Sequence, residues 1–309
     1  MATRLPKTLY HYCSVPTFYN IIKNKSIWLS DISKSNDSQE LRWVKDRFLR
    51  FSFQQWEKHA QARQRIGLSD DYNVFKQFEA IMQLMLKTET YKYCVFCLSE
   101  KKDDIGQWRG YADDGRGISI GFPTKPFAAL DRLAAEGDDS FSFCFRKVSY
   151  GEKAIQEYFD LILDNIDLNL EDTSNHVMNA LSSVVPLTLD VAPWFKNEGF
   201  RQEKEWRLIY KKLSQEILTG EKPEMPKSFQ AFSNDLYLGK YGYIPRGNEL
   251  VSHVEFGINN FENMISEIII GPKCNISKDE IYLFLISCGV IESKGKCAIK
   301  VSKSTSTYR

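Results

Sequence analysis

The chain has no apolar run that approaches the roughly 20 residues a bilayer-spanning helix needs, and its first residues, Met1-Ala2-Thr3-Arg4-Leu5-Pro6-Lys7, hold no signal-peptide core. A cytoplasmic protein with no membrane partner is the expectation. An excess of either charge is also missing. The 41 Lys and Arg against 40 Asp and Glu create no global basic field for duplex nucleic acid, whose affinity is built from many phosphate contacts. Nor is there the acidic excess that keeps a chain unfolded. Cysteines number 7, an odd count, and contexts such as Cys94-Val95-Phe96-Cys97 suit reduced, buried thiols better than a disulfide framework. Cys94 and Cys97 have CxxC spacing, but without a second ligand pair and within a strand-like run, so no metal site is expected. Dinucleotide-fold glycines, a P-loop, a nucleophile elbow and metalloprotease signatures are all lacking. So are internal repeats and low-complexity linkers, which leaves one elaborated domain over residues 1–309 as the expected organisation.

What is present is an ordinary apolar fraction, 43%, sorted into irregularly alternating strand and helix patterns. Leu9-Tyr10-His11-Tyr12 reads as a strand, and Ser14 with Pro16 reads as the start of a helix over about 15–25. A short strand, Ser26-Ile27-Trp28-Leu29, follows. Leu41, Val44, Phe48 and Phe51 recur at helical spacing, and Val74, Phe78, Ile81 and Met85 do so again, so residues 38–90 read as a helical insertion covering a sheet. Strands are expected over 91–99, 117–122, 141–150, 207–210, 250–258, 267–271 and 298–302. Helices are expected over 152–185 and 277–288, with a polar stretch to about 235. Strands and helices in this irregular order predict an α+β fold rather than a doubly wound parallel sheet.

Three polar clusters stand out. His11, one of only 4 histidines, projects from a strand end beside a helix start, where unpaired donors suit a polar ligand. Its alternative role is that of a buried histidine satisfied by backbone. Arg201-Gln202-Glu203-Lys204-Glu205-Trp206-Arg207 opens a strand, and period-2 geometry would put Glu203, Glu205 and Arg207 on one face. Two carboxylates side by side raise each other's proton affinity, and Arg207 can hold one ionised. The alternative is a charged solvent face with Trp206 and Leu208 inward. Around Asn36-Asp37-Ser38, helix capping competes with ligand binding. Trp108 and Tyr111, at i and i+3 of a short helix, form either core or the wall of a flat pocket.

The order LYHYCS, IWLSDISKSND, FCLSEKKDDIGQWRGYADDGRGISIGF, EKEWRLIY and IIIGPK resembles the bacterial domain of unknown function 2971 family over nearly the whole chain. The first unit also resembles the histidine strand and helix of ADP-ribosyltransferases such as the DarT toxins and the RNA 2'-phosphotransferases. That likeness implies mixed or antiparallel sheets elaborated by helical insertions, and NAD as substrate. It implies His11 on a ribose hydroxyl, Trp28 or Ser30 on the next strand, Glu205 as catalytic carboxylate and Glu203 as its Glu-x-Glu companion. Tyr12, Ser30, Asn36, Trp108, Tyr111 and Arg207 would line the nucleotide, with Arg109, Arg116 or Arg207 on the pyrophosphate. The implied partners are a nucleic-acid or protein acceptor and an inhibitor or defence-system protein, in the setting of a toxin or antiviral effector. A non-catalytic nucleotide or nucleic-acid binding module, or a hydrolase or phosphotransferase using the paired carboxylates, are the competing readings.

Overall fold

The helix after the histidine strand begins where its cap predicts. Thr17 N donates to the Ser14 Oγ at 3.3 Å, and Pro16 sits in the first turn, where no backbone donor is required. In the computed structural model, residues 4–35, 40–67, 76, 79–80, 83–84, 91–129, 143–163, 190–213 and 236–308 are described. In chain order they form β1 (Thr8–Cys13), α1 (Val15–Asn24), β2 (Ser26–Asp31), α2 (Glu40–Arg65), β3 (Tyr91–Ser99), α3 (Ile105–Tyr111) and β4 (Ile118–Pro123). Next come β5 (Phe143–Lys147), β6 (Ser149–Tyr150), α4 (Glu152–Leu163), β7 (Phe195–Lys196), β8 (Glu205–Leu213), β9 (Leu236–Arg246) and β10 (Glu249–Ile258). The series ends with β11 (Glu267–Ile270), α5 (Lys278–Ser287) and β12 (Lys300–Lys303). The α+β class expected from the sequence is what forms.

The chain divides into two compact units, one of residues 1–32, 93–147 and 202–309, the other of residues 33–92 and 148–201. The segment read as a helical insertion, 38–90, lies in the second. There α2 and α4 pack through Val44, Phe48, Phe51, Trp56, Ile155 and Phe159, so the helical spacing of Val44, Phe48 and Phe51 does mark a buried stripe. The expected helix carrying Val74, Phe78, Ile81 and Met85, and the part of the expected 152–185 helix beyond Leu163, lie outside the described residues.

The first unit is built on a ten-stranded sheet in the order β12-β11-β4-β1-β3-β2-β10-β9, with β8 joining β3 to β5. The β1–β4, β4–β11, β2–β3, β2–β10, β9–β10 and β5–β8 pairs are antiparallel, while β11 and β12 are parallel. Strand β3 is its hub, because β1, β2 and β8 all pair with it. Strict alternation sorts the side chains. Leu9 and Cys13 of β1, Ile27 and Leu29 of β2, Cys94, Phe96 and Leu98 of β3, Trp206 and Leu208 of β8, and Val254 and Phe256 of β10 all enter one apolar core. The intervening residues of each strand belong to the opposite face.

Two sequence expectations are corrected here. Strand β9 was not anticipated: it lies just past the polar stretch, none of its described side chains is buried, and Gly239 and Gly242 interrupt its pattern. Glu203 is not on β8, because it ends a 3-10 helix, Glu198–Glu203. Lys204 then takes a left-handed φ of 46°, and that turn breaks the period-2 relation that would have aligned Glu203 with Glu205 and Arg207.

Candidate functional site

His11 follows Leu9 and Cys13 onto the core side of the sheet. Its ring stacks on Phe96 with centroids 4.3 Å apart, and its Nδ1 lies 2.9 Å from the Cys97 carbonyl. A carbonyl only accepts, so Nδ1 carries the proton and Nε2 is the acceptor. Burial pulls the imidazole down from its ordinary value to about 4, against the opposing effect of the Cys97 hydrogen bond. The residue is therefore neutral near pH 7 and serves as a stitch between β1 and β3, whose register is Tyr10 opposite Ser99.

Glu205 and Arg207 are on the other face. Both are buried, 5% and 2% exposed, which overturns the reading of this run as a solvated strand edge. Arg207 donates Nε to one Glu205 oxygen at 2.8 Å and its terminal nitrogen to the other at 3.0 Å. This is a fork-to-fork pair between residues i and i+2 of one strand. Enclosed and engaged in this way, Arg207 is not placed to grip a pyrophosphate. The expectation that Trp206 and Leu208 turn inward does hold. Glu203 accepts the Tyr111 hydroxyl at 2.6 Å, while its backbone carbonyl accepts Ser99 Oγ at 2.6 Å.

Trp108 is wholly enclosed, packed edge-on to Tyr12 at 4.8 Å, and its indole N–H donates to Asp103 at 2.6 Å. It therefore belongs to a small core with Tyr10, Tyr12, Ala112 and Ile269 and offers no face to a ligand. The Tyr12 hydroxyl donates to the Lys101 carbonyl at 2.9 Å and accepts the Asp104 N–H at 3.1 Å. Tyr12 thereby fixes the entry to α3. Asp103 also receives Ser304 Oγ at 2.6 Å and the Thr305 N–H at 2.8 Å. Burial raises the Asp103 pKa, but these hydrogen bonds together with the Trp108 indole outweigh it and hold the carboxyl below its usual range.

The turn after α3 has three successive left-handed residues, Asp113 at φ 47°, Asp114 at 53° and Gly115 at 85°. Asp113 pairs with Arg116 at 3.1 Å, and Asp114 accepts from Lys273 at 2.8 Å and Tyr308 at 2.6 Å. A Cβ on Gly271 would stand 2.4 Å from the Gly115 carbonyl, and one on Gly117 would stand 2.1 Å from that of Cys13. The ADDGRG and IIIGPK motifs are thus two loops interlocked backbone to backbone. Arg109 lies over the Tyr308 ring at 5.9 Å.

The third strand of interest, β2, presents Trp28 and Ser30 on the same face as Glu205. Ser30 stands opposite Val95 of β3 and opposite His253 of β10, and its hydroxyl has no hydrogen-bond partner among the described residues. Strand β2 also comes within 8 Å of β8, Cα to Cα. His253 was not singled out by sequence reasoning. It is 7% exposed and stacks on Trp28 with centroids 4.3 Å apart and planes 24° apart. Burial lowers its pKa, against the pull of Glu255 and the Val251 backbone. The signal that was available is its place in Val251-Ser252-His253-Val254-Glu255-Phe256, where alternation puts His253 opposite in facing to Val254 and Phe256.

Of the expected residues, then, Ser30 and Glu205 share a face and His11 does not join them. Tyr111 and Glu203 meet each other, Tyr12 and Trp108 are scaffold, and Asn36 lies outside the described residues. Cys94 and Cys97, at i and i+3 of β3, point to opposite faces. Among the described residues no helix is long and apolar enough to cross a membrane, and no group of three His, Cys, Asp or Glu is placed to hold a metal ion.

This arrangement defines an α+β protein whose antiparallel-rich sheet buries a carboxylate and guanidinium pair beside a serine-bearing strand. Residues 107–208, from α3 into β8, match the family described as a protein of unknown function, DUF2971, so the family resemblance carried by the motifs holds over that stretch. No curated protein and no solved structure matches the chain.

Proposed function

We propose that the chain is an ADP-ribosyltransferase-like enzyme that takes NAD as its substrate and transfers ADP-ribose to a nucleic-acid or protein acceptor. The observation that carries this reading is the pairing with β3 of the two strands that bear Ser30 and Glu205, which present both residues on one face of the sheet. Cleavage of the bond between nicotinamide and ribose sends the electron pair out with nicotinamide and leaves oxocarbenium-like positive charge on the sugar. A carboxylate already held in place costs little to reorganise as that charge develops. Glu205, gripped by Arg207, supplies such a carboxylate, and the unpartnered Ser30 hydroxyl suits a ribose contact. An acceptor oxygen or nitrogen then bonds to the anomeric carbon and loses its proton to a base, the role assigned to Glu203.

The experiment is release of nicotinamide from NAD, followed for wild type and Glu205→Gln over a panel of RNA, DNA and protein acceptors. Release by wild type and a fall of at least about 100-fold in the variant is the expected result. Absence of release with every acceptor overturns the transferase reading. A second reading, nucleotide binding without turnover, is favoured by one feature: both Glu205 oxygens are engaged by Arg207. It predicts NAD binding with no nicotinamide released.

A further inference from the structure

We propose that His253, rather than His11, is the imidazole of the nucleotide-binding face, where with Ser30 and Trp28 it would hold the ribose hydroxyls of a nucleotide. The inference rests on the reading of this face as an NAD site. It follows first from alternation: Val254 and Phe256 enter the core, so His253 faces the side shared by Trp28, Ser30, Glu205 and Arg207, while His11 stacks on core Phe96. It follows second from hydrogen bonding. His11 Nδ1 is already held by the Cys97 carbonyl, whereas His253 Nδ1 is buried with no hydrogen-bond partner among the described residues.

A buried polar atom without a partner carries its full desolvation penalty. A hydroxyl brought alongside it removes that penalty, and the Ser30 hydroxyl directly across the strand pair can serve the same ligand group. The ring is held in one orientation: Trp28 stacks on it, and Gly242 leaves the room it needs, since a Cβ there would stand 3.1 Å from His253 Cε1. A fixed ring whose Nδ1 meets no hydrogen-bond partner of good geometry, the Val251 backbone being the polar group beside the imidazole, lies next to a serine hydroxyl and an indole and fits the vicinal hydroxyls and flat surface of a nucleoside.

The test is calorimetric titration of the full chain with NAD, ADP-ribose and AMP, comparing wild type, His253→Phe and His11→Phe, with circular dichroism and a thermal melt to verify folding. Phenylalanine keeps an aromatic ring to stack on Trp28 and removes both nitrogens. The expected result is about a tenfold weaker NAD affinity for His253→Phe and unchanged affinity for His11→Phe. NAD binding equal to wild type in folded His253→Phe overturns the proposal and leaves the transferase reading intact. Binding of ADP-ribose or AMP that is lost in His253→Phe, without any NAD turnover, supports the proposal and overturns the transferase reading. If no nucleotide binds wild type, both fall. Should His253→Phe not fold, Ser30→Ala is titrated in its place, with a weakened affinity expected and an unchanged one overturning the shared site.

Discussion

Two polar and aromatic regions of the first unit look alike in the sequence and differ in what they leave unmade. Around α3, Trp108, Tyr12, Asp103 and Asp114 each have named partners, several of them supplied by the segment after β12. Around β2 and β10, the His253 Nδ1 is buried without one among the described residues, whereas around α3 the atoms so left are the hydroxyls of Ser119, opposite Tyr12, and Ser306. The richest motif in the chain, DDIGQWRGYADDGRG, is therefore mainly a scaffold that locks loops together. The plainer strands, with fewer distinctive residues, hold the imidazole nitrogen that lacks a partner among the described residues. A dense motif records how many constraints a backbone must meet, and those constraints can be entirely internal.

The comparison is broken most severely at the pair that sits on the ligand side yet is fully satisfied. Arg207→Met leaves Glu205 buried without its guanidinium and is expected to lower unfolding free energy by about 3–5 kcal/mol, read by chemical denaturation. The double variant with Glu205→Leu should recover most of that loss, because the uncompensated charge is gone. A double variant as unstable as the single one would mean that the pair is held for packing alone.

His11 gives a pH test of its place on the core side. Its folded pKa, about 4, lies below the unfolded value near 6.5, so the unfolded chain binds the proton first. Stability is full above about pH 6.5, declines as pH falls toward 4, and is flat below that, by up to roughly 3 kcal/mol in all. His11→Phe should remove that part of the acid sensitivity in denaturation curves taken from pH 7 to pH 4. Acid sensitivity identical to wild type would put the imidazole in water.

The smallest effect sharpens the scaffold side. Tyr12→Phe deletes the hydroxyl that bridges Lys101 and Asp104 and should cost about 1 kcal/mol, with faster amide exchange confined to the start of α3. Exchange that quickens evenly across the sheet would show that this contact is not local.

The fold was legible where side chains obey one period and a cap marks the boundary. Ser14 before α1 shows this, as does Ser277 before α5, where Ser277 and Glu280 form a reciprocal capping box. Strand β9 was not legible, because an exposed strand carrying Gly239 and Gly242 has neither an apolar stripe nor a turn-bounded core run. In the candidate site, the placement of Glu205 and Arg207 on one face was legible from alternation. Alternation failed at Glu203, where the left-handed Lys204 resets it, and could not give the facing of His11, which depends on which neighbours its strand acquires. No single residue encodes that choice, since it is fixed by pairing with β3 and β4, segments about 80 or more residues away.

The hub position of β3 has a consequence for synthesis. Its partners β1 and β2 emerge from the ribosome before it, but β8 begins at Glu205, more than 100 residues after β3 ends. Throughout that interval the nascent chain displays an apolar nine-residue strand without one of its partners, a template for pairing with other chains. Chaperone demand should therefore peak while residues 100–204 are being made, and ribosome pausing in that stretch should raise aggregation more than pausing after Leu213.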